Sequence, residues 1–391
     1  MIIGVSFTAI FAGDIPATYL RIPGTPASAA ATLDGHQLAR QGRGPFALKI
    51  DLICSCIGGL VGVLLLMTLA PQLARFALRF SNFEYFWLAI LGLSMSAVVS
   101  SGNTRRGFMA AALGMLLATI GLDIISGAQR FTFGNPELMS GLGFIPVMIG
   151  LFGVSEVIRS VVSGISPTTT EIPANDSTEG RFAALRAVWQ NKGTVAKSSV
   201  TGTVIGALPG AGADIAAWAA YGLAERTSPR ADQFGKGEVA GVVAPTSANN
   251  AAVAGAWIPA LVFGIPGDAV TAIVLGALMM YEIRPGPLIF EQNPQQIQNI
   301  FNIALITQVL LLPCGYLGLK TFGWILKLPR SIVMTAVLVF STVGAFSLRN
   351  SLFDVGVMAI FGVVGYFLEA RRVPFSGSSS VPWSRRISAP A

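Results

Sequence analysis

Charge is what this chain lacks most. Only 12% of its 391 residues are Asp, Glu, Lys or Arg, about half the share usual in a soluble domain. Histidine is nearly missing, with His36 standing alone. Cysteine is sparse: Cys54, Cys56 and Cys314 all lie in apolar segments, far from His36. A bare Cys-x-Cys is a poor metal site, so these thiols are expected to act as small buried apolar groups, with no disulfide framework. No short cleavable signal is evident, because the apolar start runs straight into Ile15-Pro16 and Ile22-Pro23-Gly24. Nucleotide-binding loops are also missing. No lysine follows Gly210 or Gly212 as a phosphate-binding loop requires, and Ile215 stands where a dinucleotide fingerprint needs its third glycine.

Apolar sequence fills the space. Hydrophobic residues make up 53% of the chain, and mean hydropathy is +0.66. Runs long enough to span a bilayer, or nearly so, cover 52–70, 86–100, 108–122, 141–162, 239–263, 300–322, 332–346 and 355–368. They predict an all-α, polytopic transmembrane protein with about eight to ten crossings or hairpins. The 44 glycines suit close helix packing. A net charge of +7 would suggest nucleic acid in a soluble protein. Here the basic residues sit in loops, so topology explains them and no nucleic-acid partner is expected. Lys320, Lys327 and Arg330 fall on the same expected side as Arg371, Arg372, Arg385 and Arg386, assigned to the cytoplasm.

Three glycine-proline breaks interrupt the apolar sequence: Arg21-Ile-Pro-Gly-Thr-Pro26, Gly206-Ala-Leu-Pro-Gly-Ala-Gly-Ala-Asp214 and Gly264-Ile-Pro-Gly-Asp268. Hydrocarbon cannot satisfy the backbone groups that such breaks free, so they persist only beside protein or a wet cavity. Pro209 ends one half-helix, Gly210 and Gly212 allow a tight turn, and Asp214 is placed to cap the next helix. The plain alternative is a kink with an ordinary cap. The functional reading is a hairpin tip that holds a substrate carboxylate at helix N-termini, or a cation at turned-out carbonyls. Gly267, Asp268 and Thr271 repeat that logic, while Gly24, Thr25 and Ser28 take the same place without an acid. Thr246, Ser247, Asn249 and Asn250, at the start of an apolar run, offer oxygens for a dehydrated sodium ion. Their alternative is an N-cap cluster at the interface.

A repeat joins two of the breaks. Ile15-Pro-Ala-Thr-Tyr-Leu-Arg-Ile-Pro-Gly24 matches Ile258-Pro-Ala-Leu-Val-Phe-Gly-Ile-Pro-Gly267 as I-P-A-x4-I-P-G, and both copies later reach a Gly-Pro pair at Gly44 and Gly286. The expected organisation is a first transmembrane half at 1–165, a polar connection at 166–197, a second half at 198–370 and a basic, disordered tail at 371–391. Asp214, Asn249, Asn250 and Asp268 are expected to line one cavity with Gly24 and Thr25.

The same stretches carry a family resemblance. GALPGAGADIAAWAAYGLAERTS, FGKGEVAGVVAPTSANNAAVAGAWIPALVFGIPGDAVTAIVLGALM, RPGPLIF and IPGTPASAAATLDGHQLARQGR resemble the large membrane subunit of the tripartite tricarboxylate transporters. The resemblance implies a multi-pass permease of the bacterial inner membrane that moves citrate-like carboxylates. It implies a small membrane subunit and a periplasmic solute-binding protein as partners, and uptake driven by a coupling cation, Na+ or H+, with no other cofactor and no enzymatic activity. Against the family pattern, the chain opens downstream of an earlier glycine-proline turn, and after about Leu368 it turns basic and rich in Ser and Pro. The corresponding expectation is a chain truncated at both ends with little transport. The alternative function is a non-transporting remnant or an assembly partner of another permease.

Overall fold

The computed structural model describes residues 1–20, 24–81, 83–84, 86–87, 90–91, 94, 104–123, 128–162, 182–210, 212–325 and 330–370. The Arg21–Pro23 portion of the first break, most of the polar connection, Ala211 and the basic tail lie outside the described residues.

In chain order the helices are α1 (Ile2–Leu20), α2 (Ala29–Leu38), α3 (Gly44–Ala77), α4 (Thr104–Ala118), α5 (Pro136–Met139), α6 (Phe144–Met148), α7 (Ser155–Val162) and α8 (Ala183–Gln190). They continue as α9 (Lys192–Gly206), α10 (Gly212–Thr227), α11 (Val239–Phe263), α12 (Ala269–Met280), α13 (Ile289–Gln292), α14 (Pro294–Ile325), α15 (Arg330–Arg349) and α16 (Leu352–Ala370). Among the described residues the fold is all-α apart from one antiparallel pair of two-residue strands, Gly121–Leu122 with Gln129–Arg130.

The apolar runs become helices with shifted ends. The 52–70 run is the middle of α3, and 239–263 coincides with α11. The 108–122 run stops being helical at Ala118 and enters the strand pair, and most of 86–100 lies outside the described residues. By length and hydropathy, the described stretches able to cross a membrane are Ile2–Tyr19, Pro26–Ala77 and Pro294–Thr321. The first does not read as an apolar run in the sequence, because Asp14 and Pro16 interrupt it. The helix nevertheless continues through Pro16. Cys54 and Cys56 are buried as expected, but Cys314 is exposed on α14. The apolar context of Cys314 describes its helix, not the side of it that packs.

Contacts divide the chain into two compact units, 1–95 with 168–327 and 96–167 with 328–391. In the first unit α11 is the central post: every residue from Ala240 to Val262 is buried. It can be this enclosed because glycines let its neighbours approach to backbone contact. On one side Gly58 and Gly62 of α3 face the helix; β-carbons there would lie 2.2 Å from the Ser247 carbonyl oxygen and 2.7 Å from that of Ala251. On another, Gly202 and Gly206 of α9 would put β-carbons 2.3 Å and 2.1 Å from the carbonyl oxygens of Ala248 and Ala252. Both are small-x-x-x-small ridges, the spacing that aligns two glycines on one helix face. Away from the ridges the core is conventional: Phe7 of α1 stacks on Trp257 of α11, with ring centroids 5.1 Å apart.

Asp34 of α2 fastens the loop that enters α11. Its fully buried carboxylate accepts from the Tyr221 hydroxyl (2.9 Å) and from the backbone amides of Gly235 (3.0 Å), Gly237 (2.8 Å) and Glu238 (2.9 Å). A charge-assisted bond to each donor offsets the cost of burying the acid. In the second unit Val154, Ala345 and Met358 form the core. The turn between α15 and α16 is closed by the Arg349–Asp354 ion pair, and Arg349 also donates to Ser140 Oγ at 2.7 Å.

Candidate functional site

The repeat is structural as well as sequential. In each copy a long helix runs through the proline of Ile-Pro-Ala, breaks, and restarts at a capped short helix. In the second copy α11 ends at Gly264 in a left-handed conformation (φ 68°), and α12 restarts at Asp268. Asp268 and Thr271 form a reciprocal capping box: the Thr271 amide donates to Asp268 Oδ1 at 2.7 Å, and the Asp268 amide donates to Thr271 Oγ1 at 3.0 Å. In the first copy Thr25 takes that position. It caps a 3-10 turn (Pro26–Ser28) that leads into α2, and its hydroxyl lies 2.7 Å from Ser28 Oγ. Thr25 and Ser28 therefore correspond to Asp268 and Thr271. The close contacts correspond too: Gly24 packs on Gly13, and Gly267 packs on Ala256, so that a β-carbon at either glycine would fall 2.6 Å from the opposing α-carbon.

The third break meets the second. After α9 the chain turns through Ala207–Gly210, with Gly210 left-handed (φ 79°) and its amide donating to the Gly267 carbonyl at 3.0 Å. Gly212 (φ 59°) opens α10 beside Asp268, where a β-carbon would meet Asp268 Cβ at 3.1 Å. A helix start that needs two left-handed residues is why glycine stands at both positions. Asp214, partly exposed in the first turn of α10, lies close enough to Asp268 for the two carboxylates to repel. The Pro26–Ser28 turn packs against α10, with Ala27 in one core cluster with Ala213 and Ala216. Three helix starts thus gather around Thr25, Gly212 and Asp268, bringing free amides and the positive ends of helix dipoles together.

The polar cluster of α11 meets α1 and α3. Thr246, Ser247, Asn249 and Asn250 lie inside the helix rather than at its N-cap, and all four are fully buried. Asn250 Nδ2 donates to Ser55 Oγ of α3 at 3.0 Å and to Asn249 Oδ1 at 2.7 Å. Asn249 faces Asp14 of α1, and Thr246 faces Asp51 of α3. The structure therefore sets Asp214 and Asp268 at two meeting tips and Asn249 and Asn250 in a polar interior beside Asp14, which Ser28 of the first break also adjoins. Asp14 and Asp51 are not among the residues that the sequence motifs pick out. The available signal was an acid inside an apolar helix, which is costly unless it has work to do.

A cavity of about 310 Å³ lies away from both groups, among Asn191, Lys197, Thr227, Arg230 and Glu238. Arg230 pairs there with the buried Glu238 carboxylate at 3.1 Å. It does not border the helix breaks. Among the described residues no cluster of His, Cys, Asp and Glu is suited to hold a metal ion.

Comparison with known proteins adds a family. The model of the Tripartite tricarboxylate transporter TctA family matches residues 1–377. A protein of Agrobacterium vitis, described as an uncharacterized 52.8 kDa protein in the TAR-I ttuC' 3' region, is 33% identical over 380 residues, covering 94% of this chain and 72% of that protein. A second, described as an uncharacterized protein in the TAR-II ttuC' 3' region of the same organism, is 35% identical over 170 residues, covering 43% of this chain and 69% of that protein. No solved structure matches the chain.

Proposed function

The chain belongs to the tripartite tricarboxylate transporter TctA family, and from that premise we propose that it is the subunit through which a citrate-like carboxylate crosses the bacterial inner membrane. The proposed system has a periplasmic solute-binding protein delivering the substrate, a small membrane subunit beside the permease, and a Na+ or H+ gradient driving uptake. The observation that carries the reading is the contact between the two broken hairpins, in which the Gly210 amide bonds to the Gly267 carbonyl next to Asp268.

The physical logic is that of an anion site assembled from backbone. The starts of α10 and α12 and the Pro26–Ser28 turn present amides that intrahelical bonds leave free, and helix dipoles favour negative charge there. Thr25 and Ser28 add hydroxyls that can accept or donate as the substrate requires. Asp214 and Asp268 at the same place oppose an anion when both are ionised. A cation bound beside them removes that repulsion, so carboxylate and cation bind together more readily than either alone. Such mutual dependence is what a symporter requires.

The test is uptake of labelled citrate into proteoliposomes holding the chain with the small membrane subunit and loaded binding protein outside. Accumulation that requires an inward Na+ or H+ gradient supports the proposal. Equal equilibration with and without any gradient, or no carboxylate-dependent flux, overturns it.

A further inference from the structure

We propose that Asp14 and Asp51, together with Thr246 and Asn249, form a binding site for one small monovalent cation, built from other carboxylates than Asp214 and Asp268. The two carboxylates come from different helices, α1 and α3, and face each other against the middle of α11. Asp14 is 1% exposed and Asp51 2%. None of their four carboxylate oxygens has a hydrogen-bond partner, although Ser28 and Asn249 lie beside Asp14 and Thr246 lies beside Asp51.

Two buried carboxylates that share one interior without a made hydrogen bond cannot both hold their charge unaided. The usual remedies are missing: neither acid takes an ion pair or a backbone amide, in contrast to Asp34, which collects four donors. The neighbours are equally unspent. Thr246 Oγ1, Ser247 Oγ, Asn249 Nδ2 and Asn250 Oδ1 are fully buried and have no hydrogen-bond partner. A native interior leaves few such groups, so a cluster of them around a pair of acids marks a place for a ligand.

The donor set defines the ligand. Carboxylate, hydroxyl and amide oxygens are hard ligands suited to a small hard cation and poorly suited to a transition metal. One positive charge offsets the repulsion between the acids and leaves the site with a single net negative charge. Na+ coordinated by these oxygens, or one proton shared between the two carboxylates, meets that need. The other titratable group that bears on Asp51 is the buried thiol of Cys54, which is neutral when protonated and adds no positive charge. The repeat places Trp257 where the first copy has Asp14, and Trp257 stacks on Phe7, so this arrangement belongs to one half only. That the cation drives transport rests on the permease reading above. Its binding does not.

Thermal unfolding of the purified full-length chain in detergent tests the site without any transport measurement. Melting is followed by tryptophan fluorescence in NaCl against choline chloride, across pH 5.5–8.5, for the wild type and for Asp14→Asn, Asp51→Asn and Thr246→Val. A Na+-dependent rise in Tm in the wild type, lost in the two Asn variants and weakened in Thr246→Val, assigns the site to Na+. No Na+ effect, but a wild-type Tm that falls as pH rises and a flat profile in the Asn variants, assigns it to a proton, since a proton held only by the folded state is lost with rising pH. A wild type that responds to neither, or Asn variants that keep its response, overturns the proposal. Thr246→Val retains both acids and decides the matter for Na+ if an Asn variant does not fold. Loss of the cation response with citrate-induced stabilisation intact separates this site from the carboxylate site.

Discussion

The amide of Gly210 donates to the carbonyl of Gly267 across 3.0 Å, tying the break that precedes α10 to the break that precedes α12. A backbone bond between two irregular turns satisfies groups that neither helix can satisfy alone. Gly267 is also wedged between Ala256 and Gly206, where a β-carbon would lie 2.6 Å from the Ala256 α-carbon and 2.8 Å from the Gly206 carbonyl oxygen. The tips are thus held by backbone, which leaves the side chain of Asp214 free to serve a ligand.

Gly267→Ala is expected to force those tips apart at a cost of about 1–3 kcal/mol, the usual range for overpacking. Gly212→Ala adds strain in the left-handed region of about 1–2 kcal/mol. Both should lower Tm in detergent and reduce citrate binding. A Gly267→Ala protein with wild-type Tm would show that the tips separate without consequence.

Asp214→Asn keeps the shape of the first turn of α10 and removes its charge. Uptake of labelled citrate should fall at least about tenfold, equivalent to about 1.4 kcal/mol, with insertion into the membrane unchanged. Wild-type uptake would reduce Asp214 to a solvent-facing residue of the helix start.

Asp34→Ala strands four donors, three of them backbone amides in the 235–238 segment. The expected loss is about 3 kcal/mol or more, because each buried donor left unmet costs about 1–3 kcal/mol. Tyr221→Phe removes one donor and leaves the acid its other three partners, so about 1 kcal/mol is expected. Trypsin should then cut faster at Arg230 and Lys236 in the Asp34 variant than in Tyr221→Phe. Equal cleavage rates would contradict the fastening role of Asp34.

Glycine on a packed ridge and glycine on a free face should behave in opposite ways. Gly202→Leu, Gly206→Leu and Gly58→Leu drive side chains into the carbonyls of α11 and should abolish folded protein, measured as the monodisperse fraction after size exclusion. Gly193 of the same helix α9 has open space at its β-carbon. Gly193→Ala should be neutral or stabilising by up to about 1 kcal/mol. Similar yields for Gly202→Leu and Gly193→Ala would show that the ridge does not hold the helices together.

Much of this organisation is written in local chemistry. Scarce charge and long apolar runs specify a helical membrane protein, since hydrocarbon admits no unsatisfied backbone. Glycine and proline at 209–212 and 264–267 specify breaks because the one removes a side chain and the other an amide hydrogen. The match of Gly24-Thr25 with Gly267-Asp268 was legible because a capped helix start needs its particular residues at fixed spacing. The exact helix ends are less so: Pro16 reads as an interruption, yet α1 continues through it.

Tertiary structure alone decided which polar groups meet. Thr246, Ser247, Asn249 and Asn250 read as partners of Asp268, but α11 is unbroken between them and Ala256, the residue that Gly267 touches. Seven residues of rise set Asn249 about 10 Å along the helix from that contact. Asp14 and Asp51 are separated in sequence by a break, a helix and a π-helical segment (Ala39–Arg43). Periodicity shows which face of its own helix an acid occupies, but not which helix lies opposite. Only the packing of α1 and α3 against α11, set by glycine ridges and the Phe7–Trp257 stack, brings those two carboxylates together.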